Sequence, residues 1–138
     1  MNNRNSCYTY FRIVGDFDPE YISKLLNLKP DKSWKIGDNR VDGSKYDFSL
    51  WMIGKCSEYD VEVTNQMRKT ISMLLDKVPL LNKIYKENDV NFYLEIVPTI
   101  YSDETSPCLA PSLDIIDFCH MTRTEIDIDM YIINSNDE

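Results

Sequence analysis

The sequence predicts an α+β two-layer sandwich, with helices on one face of a mostly antiparallel sheet. Three observations predict it. The stretch Glu125 to Ile132 alternates cleanly, with Ile126, Ile128, Met130 and Ile132 on one side and Glu125, Asp127, Asp129 and Tyr131 on the other. Residues 63 to 78 instead repeat apolar side chains at three- and four-residue steps, the spacing of a helix stripe. The elements follow in the order strand-helix-strand, long helix, strand-helix-strand. Strands with one apolar and one mixed face suit a sheet covered on one side. A ferredoxin-like variant with strand-helix-strand halves is the expected form, folded as one domain over residues 1–138.

The first strand is Cys7 to Val14, with Tyr8, Tyr10 and Arg12 alternating against Cys7, Thr9, Phe11 and Ile13. Gly15-Asp16 breaks it. Asp18-Pro19 then reads as an N-cap followed by proline at the first helical position. That helix carries Ile22, Leu25 and Leu26 on one face and ends near Leu28, ahead of Pro30. Trp34-Lys35-Ile36 reads as a short strand. Gly37-Asp38 and Asp42-Gly43 are turn signals leading by a loose hairpin into a strand from Tyr46 to Ile53. There Phe48, Leu50 and Met52 oppose Ser49, Trp51 and Ile53, and two fairly apolar faces place the strand centrally.

The long helix buries Val63, Met67, Ile71, Leu74, Leu75 and Val78. Pro79 starts a new turn, continued by Leu80, Leu81 and Ile84, and Asn88-Asp89 ends it. A strand follows from Asn91 to about Tyr101, with Tyr93, Glu95 and Val97 opposite Phe92, Leu94 and Ile96. Pro98 marks an edge, a bulge or an early end to pairing. Pro111-Ser112 opens the last helix, with Leu113, Ile116 and His120 on one stripe and Ile115, Phe118 and Cys119 beside it. The alternating acidic strand comes next, its isoleucine face directed to the core, and Asn134 to Glu138 reads as a frayed tail.

Charge and cysteine usage narrow the function classes. The net charge is -8 and the pI about 4.6. Nucleic acid and anionic membranes repel such a surface, because non-specific nucleic-acid binding comes from Lys and Arg on phosphates. Cationic protein partners are favoured. The polar start, Met1 to Ser6, has no signal-type apolar stretch, and no window reaches the roughly 20 apolar residues of a membrane helix. Cys7, Cys56, Cys108 and Cys119 are far apart, so reduced thiols in the cytoplasm are expected.

Four stretches, YTYFRIVGDFDPEYISKLLNLKP, SLWMIG, FYLEIVP and LAPSLDIIDFCHMTRTEIDID, together with a Trp-Lys-Ile-Gly turn, carry a family likeness. Over roughly residues 8 to 133 the chain resembles the bacterial family catalogued as domain of unknown function 4279. The resemblance implies a small, single-domain, cytoplasmic bacterial α+β protein. It supplies no activity and no catalytic residues, and it bears on fold more than on function.

The candidate chemistry is sparse. His120 could act as a general base oriented by Asp117 or by an acid of the last strand; the plainer reading is a partly buried histidine in a last helical turn. His120, Cys119, Cys108 and Asp117 could be offered to a metal. Neighbours Cys119 and His120 diverge by about 100° on a helix, and no CxxC or HxxxH spacing exists, so no metal or other cofactor is expected. Glu95, Glu125, Asp127 and Asp129 could converge as an acidic cluster, or form a solvated face with Arg12 opposite. The lysines and Arg40 between Lys29 and Lys45 could hold an anion, but Asp31, Asp38 and Asp42 dilute them. No P-loop, dinucleotide fingerprint or nucleophile elbow occurs.

Tyr8, Tyr10, Tyr93 and Tyr131 all fall on polar strand faces. With Arg12 and the acids they make an amphipathic sheet surface of the kind that anchors interfaces, although tyrosine also simply favours strands. The expected function is non-catalytic protein binding through that face. An immunity-type protein that masks a cationic toxin domain fits the charge. The alternative is a small enzyme or ligand sensor using His120 or the acidic strand face.

Overall fold

The computed structural model describes residues 4–56, 62–134 and 136. The strands are β1 (Ser6–Asp16), β2 (Lys32–Trp34), β3 (Ser49–Cys56), β4 (Asp89–Tyr101), β5 (Thr124–Ile128) and β6 (Tyr131–Ile133). The helices are α1 (Pro19–Leu26), α2 (Val63–Ile71), α3 (Val78–Glu87) and α4 (Leu113–Thr122). The sheet runs β2-β3-β1-β4-β5, with β6 also on β4. The pairs β2/β3, β1/β3 and β1/β4 are antiparallel, while β5 and β6 run parallel to β4.

This is the expected α+β sandwich. The second half is a strand-helix-strand unit in which α4 crosses between parallel neighbours, as parallel pairing requires. The first half differs: β1 and β3 pair antiparallel and need no crossover, so α1 and β2 lie on the path between them. The strand expected to be central, β3, is internal but lies beside the edge strand β2, and β1 takes the middle. Strand boundaries also shift. Gly15-Asp16 does not break the first strand: β1 runs to Asp16, with Gly15 paired to Ser49 and Val90. The expected strand 34 to 36 is Lys32–Trp34, the strand expected from Tyr46 begins at Ser49, and the one expected from Asn91 begins at Asp89.

Alternation puts Phe11, Ile13, Trp51, Ile53, Phe92, Leu94 and Ile96 on one face. They join Ile22, Leu26, Met67, Ile71, Leu81, Ile84 and Phe118 of the helices in one contiguous core. Asp18 caps α1 by accepting from the Glu20 N–H at 3.1 Å, Pro19 starts it, and Asn27 closes it in the left-handed conformation. On α2, Thr70 hydrogen-bonds Thr9 of β1 and the Gly54 carbonyl of β3, both at 2.7 Å. A Cβ on Gly54 would stand 2.5 Å from the Thr70 carbonyl oxygen, so this close approach needs glycine.

Three expectations about packing are corrected. The long helix is not continuous: a 3-10 stretch, Ser72–Lys77, separates α2 from α3. Pro79 cannot donate to the Leu75 carbonyl and its ring crowds that turn, so the preceding residues tighten. Leu74 stays buried, but Leu75 rotates out to solvent. On α4 the buried set is Ile115, Phe118, Cys119 and Thr122, whereas Leu113, Ile116 and His120 are exposed. Both stripes of that helix are apolar, and the sheet selects the one that also buries Thr122, whose hydroxyl donates to the Phe118 carbonyl at 2.8 Å.

The third correction concerns the last strand. Its isoleucine face is not core beyond Ile126; Ile128, Met130 and Ile132 are exposed. The strand also breaks at Asp129 and Met130. Ile96 opposes Ile128 and Thr99 opposes Tyr131, so β5 and β6 keep a single register across the gap. The Asp129 N–H donates to the Ile96 carbonyl at 2.9 Å. The next donor in the ladder would be residue 98, which is proline and has none. Pro98 therefore interrupts the pairing while β4 itself runs through. The tail expected to fray falls largely outside the described residues.

Candidate functional site

The helices cover one face of the sheet, and the opposite face is open. Period-two alternation brings Tyr8, Tyr10 and Arg12 of β1, Tyr93 and Glu95 of β4, and Glu125 and Asp127 of β5 onto that open face. The register sets neighbours: Tyr10 lies opposite Glu95, Arg12 opposite Tyr93, Tyr93 beside Glu125, and Glu95 beside Asp127. Asp129 and Tyr131 continue the row and are tied together, the Tyr131 hydroxyl donating to Asp129 at 3.2 Å.

Arg12 is the hub. Its Nε donates to Glu95 Oε1 at 2.8 Å, its Nη2 lies 2.5 Å from the same oxygen, and Asp127 is 3.9 Å away. The guanidinium also stacks over the Tyr93 ring at 4.2 Å. Glu95 is only 3% exposed even though it belongs to the open face. Burial pushes its carboxyl above the usual glutamate range, Arg12 pulls it down, and hydrogen bonding with Asp127 pushes it up again. Glu125, Asp127 and Asp129 are exposed. Burial raises Tyr10, with the Glu95 charge adding to it; the Asp129 charge raises Tyr131.

Other residues on this face were not anticipated. Lys32 and Trp34 of β2 alternate onto it, and Lys55 lies over the Tyr8 ring at 4.9 Å. Trp34 stacks on Tyr46 at 3.9 Å and meets Phe48 edge-on, and its Nε1 donates to the Phe48 carbonyl at 3.0 Å. Lys32, Trp34, Phe48 and Lys55, together with Tyr8, Tyr10, Arg12, Leu50 and Met52, line a shallow depression of about 340 Å³. The signal was the second apolar face of β3, Leu50 and Met52, which needed a cover; a two-residue shift in placing β2 hid Lys32. The face is thus polarised, with Lys32, Lys55 and Arg12 on the β2-β3-β1 half and the carboxylates on the β4-β5-β6 half.

Residues 5–133, nearly the whole described chain, match the model of the family described as Domain of unknown function (DUF4279). The chain belongs to this family. No curated protein and no solved structure matches it. The fold and face described above are therefore those of a DUF4279 member, and the family brings no reaction with it.

His120 stands apart from the open face. It is exposed rather than partly buried, because it lies on the outer side of α4. It lines a wide groove of about 1340 Å³ between α3, α4 and β5, together with Lys83, Lys86, Arg123 and Glu125. Cys119, its neighbour, is buried, and Cys108 is exposed in the segment before α4. Burial pushes the Cys7 and Cys119 thiols up to about 11. Among the described residues no three His, Cys, Asp or Glu side chains come together as metal ligands would. No helix among them is long and apolar enough to cross a membrane.

Proposed function

We propose that this domain is a non-catalytic binding protein that docks a cationic protein on the acidic half of its open sheet face. One observation carries the reading: the helices all pack on one side, leaving tyrosines, an arginine and a row of carboxylates uncovered on the other. Tyrosine and arginine are the side chains that anchor interfaces, and exposed carboxylates steer a basic partner. An immunity-type role in the bacterial cytoplasm, masking a cationic toxin domain, accords with the net charge of -8. That role rests on class analogy.

The test uses the partner captured from native lysate on the wild-type domain. Asp127→Asn/Asp129→Asn should leave the fold and its urea midpoint essentially unchanged. It should slow association by about tenfold at low salt, with the deficit shrinking as salt is added. Unchanged association kinetics would sink the docking reading and leave the carboxylates as a solvated strand face.

A further inference from the structure

The two edges of the sheet are built differently. The β2 edge is three residues long and carries exposed Lys32, a short charged edge of the kind that resists pairing. The β5–β6 edge is longer, from Thr124 to Ile133, and Ile128 is 45%, Met130 43% and Ile132 68% exposed along it. Beyond it the sheet has no further strand among the described residues. The Asp129 N–H donates inward to Ile96 and the Ile133 carbonyl accepts inward from the Ser102 N–H, each at 2.9 Å. Backbone groups alternate sides along a strand, so the N–H and C=O groups of Ile126, Ile128 and Ile132 point outward. This edge presents outward hydrogen-bonding groups, an apolar row on the helix side and an acidic row on the open side.

A second copy of the chain does not suit β5. Antiparallel self-pairing through the outward groups of even-numbered residues must match odd positions with odd positions. In registers centred on residues 126 to 128, Asp127 then faces Glu125, Asp127 or Asp129 of the other copy, and like charges directly opposite destabilise a strand pair. A strand with cations on the open side and apolar residues on the helix side meets both rows favourably.

We propose that the outer edge of β5–β6 receives a partner strand in which lysine or arginine alternates with apolar residues. The proposal deepens the docking reading above and rests on it: the same acidic row steers the partner, and strand addition fixes it. Main-chain hydrogen bonds supply the pairing. Cations of the added strand lie against Glu125, Asp127 and Asp129, and its apolar side chains lie beside Ile128 and Ile132.

The probe is a synthetic peptide of about ten residues alternating lysine and valine, long enough at ~3.3 Å per residue to span the edge. Two further versions are N-methylated, one on every valine and one on every lysine. Antiparallel addition directs the valine amides to the protein, and parallel addition directs the lysine amides there. One methylated peptide should therefore bind about tenfold or more weakly while the other binds like the parent, and the loser reports the strand direction. On binding the parent, amide exchange at Ile126 and Ile128 should slow, and exchange at Ser33 of the β2 edge should not. If the parent binds, weakens with Asp127→Asn/Asp129→Asn, and yet both methylated versions bind alike with no protection at Ile126 and Ile128, strand addition falls and acidic-face docking stands. If the alternating peptide does not bind at all, strand addition fails; whether docking survives is then decided by the native-partner kinetics above.

Discussion

Glu95 sits in a carboxylate's least comfortable position on this face, buried under its neighbours with a second acid beside it. Its ordinary value is 4.5, and in the folded protein it lies higher, burial leading and Asp127 adding, with Arg12 opposing. The sign follows from proton binding. Between 4.5 and the raised value the folded state holds more protons than the unfolded chain, so Glu95 favours folding at low pH and loses that contribution as pH rises through the window. Glu95→Gln keeps the shape and removes the titration. The stability of the wild type minus that of the variant, from urea melts at pH 4, 5.5 and 7, should be smaller at pH 7 than at pH 4; a constant difference would show that Glu95 titrates as in the unfolded chain. The sequence told which face Glu95 is on, because alternation fixes faces. It could not tell that Arg12, Tyr93 and Tyr10 stand tall enough to bury it. That depends on which residues the register sets opposite one another.

At the scale of elements, legibility tracked how one-sided each pattern is. Along residues 63 to 74 a single stripe is apolar, and Met67 and Ile71 of α2 and Leu74 of the 3-10 stretch are buried as the spacing required. Ile71→Ala should therefore cost about 2–5 kcal/mol by urea denaturation. Leu75→Ala, on the side that the 3-10 turn rotates outward, should stay within about 0.5 kcal/mol. Equal costs would mean that the helix continues through residue 75 as one stripe. In α4 two stripes compete, and nothing local decides between them until the sheet is in place. Pro98 was recognised as a disturbance, but its effect appears on the strand that pairs with it, because the missing donor is felt by the acceptor across the ladder. The exposed Ile128, Met130 and Ile132 were misread for a related reason: alternation shows that a strand has two faces, not that both extend under a covering helix. That residual edge is where the proposed partner strand would bind.

The topology of the whole molecule was the least legible part. Antiparallel β1/β3 pairing and the β2-β3-β1-β4-β5 order depend on contacts between residues dozens of positions apart, which carry no local signature. What can be tested at this scale is whether the one apolar cluster unfolds as one unit. Cys7 on β1 and Cys119 on α4 are both buried in it, at sites built from distant parts of the chain, and burial lifts both thiols to about 11. At pH 8 their thiolate fraction is about one in a thousand, so in the native state they are both hidden and unreactive. Cys108 is exposed and should react with an aromatic disulfide reagent on mixing. Modification of Cys7 and Cys119, resolved by peptide mass, should then proceed only through opening. The two sites should report the same opening free energy and the same dependence on urea, matching the global unfolding transition. A smaller free energy and shallower urea dependence at Cys119 would mean that α4, joined to the sheet through the parallel edge, lifts away while β1 and the middle of the sheet stay folded.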